Sequence, residues 1–387
     1  MKSEALARVA SACITAVLAA QPYSTWMTDS IMAINVPKTR YYTEATFYRG
    51  VEYVYNATHD EKYKWYLSSQ IDAILTDNGS FVNWNPNSRQ LDSIRVGETL
   101  LFLWGQMGEE RYRNAIAFLH DELLAQKRTD EVAFWHKDPE YPNQQWLDGL
   151  FMGDTFYAHY TALFEPTNQT AWDDIVLQFD LMEKHCRDPK TGLLFHGYDQ
   201  SHQREWADPV TGASPHLWDR GIGWYFMALL DVLDWLPQSH PGYEKLVNYF
   251  TSLAKALRKS WDCKQGGWWL VMDAPYPGMK GNYIESSGTA MFVTGFLKGM
   301  RKGFISRKEY EKFTLKAYDI MAAKFVGRNE TSGALTWEGT VKVGSLSGNA
   351  TYEYYIDQPI QRNMLNGVGP FIYASAEIEA LRGQLQM

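Results

Sequence analysis

The sequence has little of what defines several special classes of protein. Its 387 residues include only three cysteines, an odd number spread far apart, which fits neither a disulfide framework nor a zinc site. The net charge of −8, without a long basic run, argues against nucleic acid as a partner. No apolar run is long enough to predict a membrane span, so no membrane partner is expected.

Several catalytic and cofactor motifs are also missing. The sequence contains no HExxH or CxxC pair for a metal and no GxSxG nucleophile motif. The Gly-Ile-Gly of residues 221–223 does not complete a dinucleotide fingerprint. We therefore expect neither a metal nor an organic cofactor.

Aromatic residues, in contrast, are abundant, with 15 Trp and 24 Tyr. Core packing accounts for most of them, but the surplus is typical of a surface that binds ring-shaped ligands.

The first 22 residues loosely imitate a secretory signal. Glu4 and Arg8 interrupt the apolar stretch, so residues 3–20 are interpreted as the first helix of the fold. The sequence thus predicts a cytoplasmic protein, with secretion as the alternative. Secretion is favoured by five Asn-x-Ser/Thr sequons, at Asn56, Asn78, Asn168, Asn329 and Asn349.

Amphipathic patterns predict twelve helices, joined alternately by short and long connections. They lie near 3–20, 40–56, 61–76, 92–106, 110–126, 146–164, 168–185, 223–236, 242–259, 286–301, 306–324 and 367–383. After several short connections the next helix opens with acidic residues, as in HDEKYKWYL (59–67), which suits the positive end of the helix dipole.

The long connections share a short, aromatic, β-prone run, here called a stub. The stubs are 78–85, 131–138, 191–199, 266–273 and 332–339. The helix–stub–helix unit recurs about every 55–65 residues, a spacing near that of helical arrays. Helices that are apolar nearly all round, such as 286–300, must be buried by neighbours. The sequence therefore predicts an all-α fold, an (α/α)6 barrel of six helical hairpins. One catalytic domain would cover residues 1–387, with the stubs walling a cup at one end.

Functional residues are expected on the stubs and at the starts of the inner helices. Asp92 and Asp148 open two inner helices, where an Asp is more often a cap. Asp148 fits that role less well, because its apolar neighbours favour the protonated form that a general acid needs. Two carboxyl groups at one end of a sugar-sized cup are typical of glycosidases.

The stubs supply four further candidates: His136, Lys137, His196 and Tyr198. A lone histidine is more often a hydrogen-bonded structural residue than a catalyst. The two histidines occupy corresponding places in successive repeats, which weakens the structural interpretation without excluding it.

The segment LWDRGIGW (217–224) places Arg220 between Trp218 and Trp224. The arginine could form a structural ion pair, with Asp219 or Asp148. It could instead clamp a substrate carboxylate while the tryptophans stack on sugar faces. The two flanking tryptophans favour the second interpretation.

Five ordered motifs resemble the unsaturated glucuronyl and rhamnogalacturonyl hydrolases of glycoside hydrolase family 105, relatives of family 88. They are LDSIRVGETLLFLW, FWHKDPEYPNQQWLDGLFMGD, LLFHGYD, LWDRGIGW and YYIDQPIQRNMLNGVGPFIYASAEIE. The similarity extends from about Tyr41 to Leu381. It implies an (α/α)6 barrel and removal of a terminal 4,5-unsaturated uronic acid from the fragments that polysaccharide lyases leave.

The resemblance also implies roles for individual residues. Asp148 would be the catalytic aspartate and Asp92 the supporting one. The residues implied to bind substrate are His136, Lys137, His196, Trp218, Arg220, Trp224 and Tyr42. The chain departs from the family pattern at Asp219, where a small residue is common, and at Ile222, where Asn is common.

Other functions stay open on the same fold, because a fold does not fix a function. They are an ordinary inverting glycosidase, a polysaccharide lyase and a non-catalytic sugar-binding protein. An unsaturated oligosaccharide is the expected partner, and the sequence leaves the oligomeric state open.

Overall fold

Helices account for most of residues 21–383, the part of the chain that the computed structural model describes. They are α1 (Tyr23–Met32), α2 (Tyr42–Thr58), α3 (Glu61–Asp72), α4 (Gly97–Met107), α5 (Glu110–Leu124), α6 (Leu147–Gly149), α7 (Thr155–Phe164), α8 (Gln169–Cys186), α9 (Asp219–Leu233), α10 (Tyr243–Ser260), α11 (Ser286–Arg301), α12 (Arg307–Phe325), α13 (Tyr352–Ile356) and α14 (Leu365–Leu381). A π-helical stretch, Leu150–Asp154, joins α6 to α7.

The predicted helices between residues 40 and 383 are confirmed, with shifted ends. The helix expected near residue 92 begins at Gly97, because Leu91–Ser93 form a separate 3₁₀ turn. The sequence did not predict α1 or the short α13. The helix predicted at 3–20 lies outside the described residues.

Burial separates inner from outer helices. In α9 every residue except Asp231 is buried, and in α11 every residue except Arg301. Helix α10 instead buries a single stripe with helical spacing, Leu246, Phe250 and Leu253 among others. The predicted inner and outer helices are thus confirmed, and the inner ones are α2, α4, α7, α9, α11 and α14.

The two ends of the described chain close the ring. Helix α1 packs against α14, which also packs against α2 and α11. At this contact the backbone N–H of Ser24 donates to Oε1 of Glu379 over 3.0 Å. The predicted (α/α)6 barrel is confirmed. That residues 1–387 form one catalytic domain stays a prediction.

Short antiparallel strand pairs lie at one end of the barrel, and three of the four pairs contain part of a stub. β1 (Arg89–Gln90) pairs with β2 (Lys137–Asp138), β3 (Gln144–Trp146) with β4 (Gly197–Asp199), β5 (Val326–Arg328) with β6 (Leu335–Trp337), and β7 (Thr340–Val341) with β8 (Ile360–Gln361). Each stub also bridges back toward the end of the preceding outer helix. The bridging pairs are Leu75 with Phe81, Arg128 with Phe134, Arg187 with Leu194, Asp262 with Gly267, and Arg328 with Leu335.

Four successive repeats begin their inner helix in the same way. An amide at the start donates to a carbonyl of the stub that follows in sequence: Leu91 to His136 (3.1 Å), Leu147 to His196 (2.9 Å), Asp219 to Leu270 (3.1 Å) and Ser286 to Gly339 (3.2 Å). The next residue in each repeat therefore occupies an equivalent place at the same end of the barrel. These residues are Asp92, Asp148, Arg220 and Ser287.

No helix within residues 21–383 is long and apolar enough to cross a membrane. Cytoplasmic location stays a prediction. Of the cysteines in this range, Cys186 is buried and Cys263 exposed, and both are free thiols.

Candidate active site

Asp148 and His196 meet at the β3–β4 pair. The register places Trp146, the last residue of β3, opposite Gly197, the first residue of β4. Asp148, which follows β3, therefore lies beside His196, which precedes β4. Nε2 of His196 lies 3.0 Å from Oδ2 of Asp148, and its Nδ1 lies 2.9 Å from the hydroxyl of Tyr355. The imidazole is completely buried, whereas 13% of the Asp148 side chain is exposed.

The second oxygen of Asp148 is free of hydrogen bonds from residues 21–383. One oxygen is therefore fixed by the buried histidine while the other is available to a ligand in the cup. A carboxyl group held in this way can both deliver and accept a proton at one fixed position.

Asp92 has an equivalent arrangement in the preceding repeat. Gln90 in β1 pairs with Lys137 in β2, which places the ammonium group 2.8 Å from Oδ2 of Asp92. Nε2 of His136 lies 3.4 Å from the other oxygen. Burial alone would raise the pKa of Asp92, but the charges of His136 and Lys137 hold that pKa well below its usual range. Asp92 is therefore an ionised hydrogen-bond acceptor.

Lys137 is correspondingly fixed as a cation. Burial opposes its charge, but the carboxylate of Asp92 raises the pKa of Lys137 well above its usual range.

Trp146 connects the two aspartate–histidine pairs. Its indole stacks on His136, with centroids 4.5 Å apart, and on Tyr141, also at 4.5 Å. The same ring meets His196 edge-on at 5.4 Å. The Asp92–His136 and Asp148–His196 pairs are therefore neighbours on either side of one indole ring.

Tyr42, the first residue of α2, is distant from Asp92 and Asp148 in sequence but close to both in space. Burial raises the pKa of Tyr42 well above its usual range, and the charges of Asp92 and Asp148 add to the effect. A single phenol that is close enough to respond to both carboxylates supports the common cup.

Arg220 pairs with Glu285, and neither predicted partner, Asp219 nor Asp148, forms this ion pair. Nη2 of Arg220 lies 3.4 Å from Oε1 of Glu285 and also donates to the carbonyl of Val341. Its Nε donates to the hydroxyl of Ser287 over 2.7 Å. The partner comes from the next inner helix rather than from the chain neighbour, because adjacent residues on a helix point in different directions.

The Arg220 side chain is buried, and its remaining nitrogen also has a partner. Nη1 of Arg220 donates to the Lys342 carbonyl over 3.5 Å, a partly buried contact. That Arg220 clamps a substrate carboxylate stays a prediction. The guanidinium is held in place by Glu285, Ser287 and two backbone carbonyls.

Asp219 lies beneath this ion pair, fully buried, and its carboxyl oxygens have no hydrogen-bond donor among residues 21–383. Burial, with the nearby charge of Glu285, raises the pKa of Asp219 well above its usual range. Both effects favour the protonated form of this carboxyl group. Gly288 packs against it, and a Cβ there would collide with Oδ2 of Asp219.

The two tryptophans of LWDRGIGW form walls behind the cup. Trp218 contacts His196 at 4.5 Å between centroids, and Trp224 stacks on Phe151 at 4.7 Å. Both are buried, and stacking on a sugar stays a prediction. Tyr198 points elsewhere and stacks on His185 at 4.2 Å.

Sequence reasoning missed four residues of this site: Tyr141, Trp146, Glu285 and Tyr355. Trp146 lies two positions before Asp148 and belongs to a stub-like run, so its signal was present. Tyr355 reaches His196 across 159 positions of sequence, and no local pattern indicates such a contact.

Paired carboxyl groups at one end of an (α/α)6 barrel are the arrangement expected of a carbohydrate-active hydrolase. The model of Glycosyl Hydrolase Family 88 matches residues 19–382, and the chain belongs to this family. It is an enzyme, a glycoside hydrolase, and the resemblance to families 105 and 88 is confirmed.

Three similar proteins illustrate the relationship. A glycoside hydrolase of family 105 from C. acetobutylicum has 36% sequence identity and a TM-score of 0.89, over 93% of this chain and 100% of that one. The unsaturated rhamnogalacturonyl hydrolase YesR of Bacillus subtilis is 25% identical over 69% of this chain and 71% of that protein. An unsaturated glucuronyl hydrolase from Bacillus sp. GL1, at 13% identity and a TM-score of 0.63 over 92% and 90% of the two chains, shares the fold.

Proposed function

We propose that this enzyme removes a terminal 4,5-unsaturated uronic acid from lyase-generated oligosaccharides by adding water across the C4–C5 double bond. The main support for this proposal is the contact of 3.0 Å between Asp148 and His196, with an ionised Asp92 nearby. Relatives named unsaturated rhamnogalacturonyl hydrolase support an unsaturated rhamnogalacturonan fragment, or a related one, as the substrate.

Asp148 acts first as the acid. Its proton passes to C4 of the sugar, and the C4–C5 double bond becomes a cation at C5 that the ring oxygen stabilises. His196, buried and hydrogen-bonded on both ring nitrogens, holds the carboxyl group toward C4. An ordinary glycosidase would instead protonate the glycosidic oxygen.

Asp148 then acts as the base. A water molecule attacks C5 while its proton passes to the carboxylate, which restores the acid for the next cycle. The product at C5 is a hemiketal, whose ring opens to a ketone. Ring opening leaves C1 as a hemiacetal, and its collapse releases the neighbouring sugar.

The other cup residues bind and orient. Asp92, ionised beside Lys137, accepts hydrogen bonds from the water or from sugar hydroxyls. Arg220, held by Glu285 and Ser287, offers Nη1 to the uronate carboxylate. His136, Tyr42 and the two tryptophans enclose the sugar.

The position of isotope uptake tests this mechanism. A pectin-lyase digest incubated with the protein in D₂O should lose its ultraviolet absorbance and gain one deuterium at C4. An ordinary glycosidase would leave C4 vinylic and the absorbance unchanged, and a lyase acting on intact polysaccharide would create absorbance. A non-catalytic sugar-binding protein would change neither. Persistence of the absorbance on rhamnogalacturonan, pectin and ulvan lyase digests would overturn the proposed function.

A further inference from the structure

A second cleft lies at the stub end of the barrel, next to the cup. It has a volume of about 330 Å³ and is lined by residues of the α1–α2 and α3–α4 connections, with Lys38, Thr39, Arg40, Tyr41, Asn83 and Gln90 among them. The lining holds two basic side chains and no acidic one. This volume suits one sugar residue, at the small end of ligand-binding pockets.

Arg40 is the unusual residue of this cleft. Its Nε is buried and lacks a hydrogen-bond partner among residues 21–383, and no carboxylate in that range lies within 4.0 Å of the guanidinium. The group stacks on Trp84, 4.6 Å from the ring centroid. Burial lowers the pKa of Arg40, although an arginine keeps its charge in proteins.

Two other guanidinium groups within residues 21–383 illustrate the usual pairing with a carboxylate. Arg128 makes two contacts of 2.7 Å with Asp174, and Arg301 contacts Glu377 at 2.6 Å. Because a partly desolvated guanidinium without an acceptor is unfavourable, a structural role alone leaves the placement of Arg40 unexplained.

Tyr41 joins the cleft to the cup. It lines the cleft, and its ring lies 4.7 Å from that of Tyr42. Burial raises the pKa of Tyr41 to about 12, and the nearby charges of Asp92 and Lys137 also act on it. Gln90 of the cleft pairs with Lys137, which contacts Asp92. A sugar chain that leaves the cup past Tyr41 would therefore enter the cleft.

We propose that this Arg40 cleft binds an anionic substituent, a carboxylate or a sulfate ester, on a sugar beyond the bond that is cleaved. The planar guanidinium offers paired N–H donors to either anion, and Trp84 fixes its plane. Lys38, exposed at the same cleft, adds a second positive charge. The inference rests on the proposed function, because it concerns the leaving part of the same substrate.

The test compares unsaturated substrates that share the terminal uronic acid. One is a disaccharide with a neutral second sugar, and the others are longer fragments carrying either a uronate or a sulfated sugar in the leaving part. Arg40→Gln should lower kcat/KM about tenfold on the charged fragments, mainly by raising KM, since one charge-assisted contact is lost. On the neutral disaccharide kcat/KM should change less than about twofold. The carboxylated and sulfated fragments, tested separately, show which anion the cleft prefers.

Two further variants guard against a folding defect. Lys38→Gln, on an exposed side chain, should lower kcat/KM about two- to threefold on charged fragments only. Arg307→Gln removes an exposed guanidinium from the start of α12 and should change none of the rates. Equal loss on neutral and charged substrates, or no loss on the charged ones, would overturn the proposal.

A binding measurement separates this proposal from the proposed function. Isothermal titration of the charged fragments into Asp148→Asn, with and without Arg40→Gln, should give Kd values that differ about tenfold. If wild-type enzyme turned over none of the substrates, the proposed function would fail. Equal Kd values in the two titrations would instead refute the Arg40 cleft.

Discussion

The imidazole Nε2 of His196 lies 3.0 Å from Oδ2 of Asp148. The β3–β4 register sets this contact, and the histidine is completely buried, so the carboxyl group has a fixed orientation at the wall of the cup. The proposed mechanism requires Asp148 to donate a proton to carbon and then accept one from water, and such positioning suits both steps.

Removing the acid function should therefore abolish turnover. Asp148→Asn is expected to lower kcat by about 10³-fold or more. General acid–base catalysis usually contributes about 10²- to 10⁴-fold, and here one group serves as both acid and base. Loss of ultraviolet absorbance from an unsaturated disaccharide measures it, with circular dichroism as the check on folding. Asp319→Asn, at an exposed surface carboxylate, is the control. An Asp148→Asn enzyme within tenfold of wild type would show that another group protonates C4.

The Tyr355 hydroxyl should act through His196. Tyr355→Phe removes the group 2.9 Å from Nδ1 and should lower kcat about tenfold with little change in KM, because the imidazole loses its orientation. Tyr354→Phe, at the adjacent residue whose hydroxyl does not contact His196, should leave both constants unchanged. An equal effect of the two substitutions would contradict a specific contact with His196.

Lys137 should set the pH range of the enzyme through Asp92. Burial favours protonation of Asp92, and Lys137 with His136 keeps its pKa well below the usual range. Lys137→Met should raise that pKa, so the acidic limb of the kcat/KM profile moves to higher pH. In the wild-type enzyme the ionised Asp92 adds to the free energy of unfolding above the unfolded-state pKa of about 3.9. This contribution is lost as the pH falls toward the lower pKa of the folded state. Lys137→Met should reduce this contribution.

The control for this prediction is Lys245→Met, which removes one partner of an exposed ion pair with Asp180. It should leave the profile unchanged. A Lys137→Met enzyme with an unshifted acidic limb would show that Asp92 does not limit the rate there.

Arg220 should contribute to stability as well as to binding. Arg220→Met leaves Glu285 buried without its cation and should lower the free energy of unfolding by about 3–5 kcal/mol, the usual cost of breaking a buried pair. Urea denaturation measures it. The double variant with Glu285→Gln should recover part of the loss. A purely substrate-binding arginine would raise KM and leave the denaturation midpoint unchanged.

Asp219 should make the protein less stable as the pH rises. Its pKa is raised by burial and by Glu285, so the folded state holds a proton that the unfolded state releases above about pH 4. The free energy of unfolding therefore falls as the pH increases through that range toward the folded pKa. Asp219→Asn should flatten this dependence. A variant with the wild-type slope in urea denaturation between pH 5 and pH 8 would show that Asp219 is ionised when folded.

Much of this fold could be predicted from local patterns, because each repeat contains its own signals. The apolar faces of 223–236 and 286–301 required burial on all sides, and the aromatic stubs indicated where the chain turns. The position of Asp148 among apolar residues, and of His136 and His196 in matching stubs, indicated the same end of the barrel. These predictions depend on residues a few positions apart, because their spacing along a helix or strand determines the face on which each side chain lies.

Only the tertiary structure decided which side chains meet across repeats. The sequence suggested Asp219 or Asp148 as the partner of Arg220, but packing of α9 against α11 selected Glu285 and buried Asp219 beside that glutamate. The same holds for Tyr355 on His196. Such contacts depend on how helices distant in sequence pack around the barrel axis. The amino-acid sequence therefore determined the repeating helices and the end that carries the chemistry, whereas long-range packing determined the pairing of charges within it.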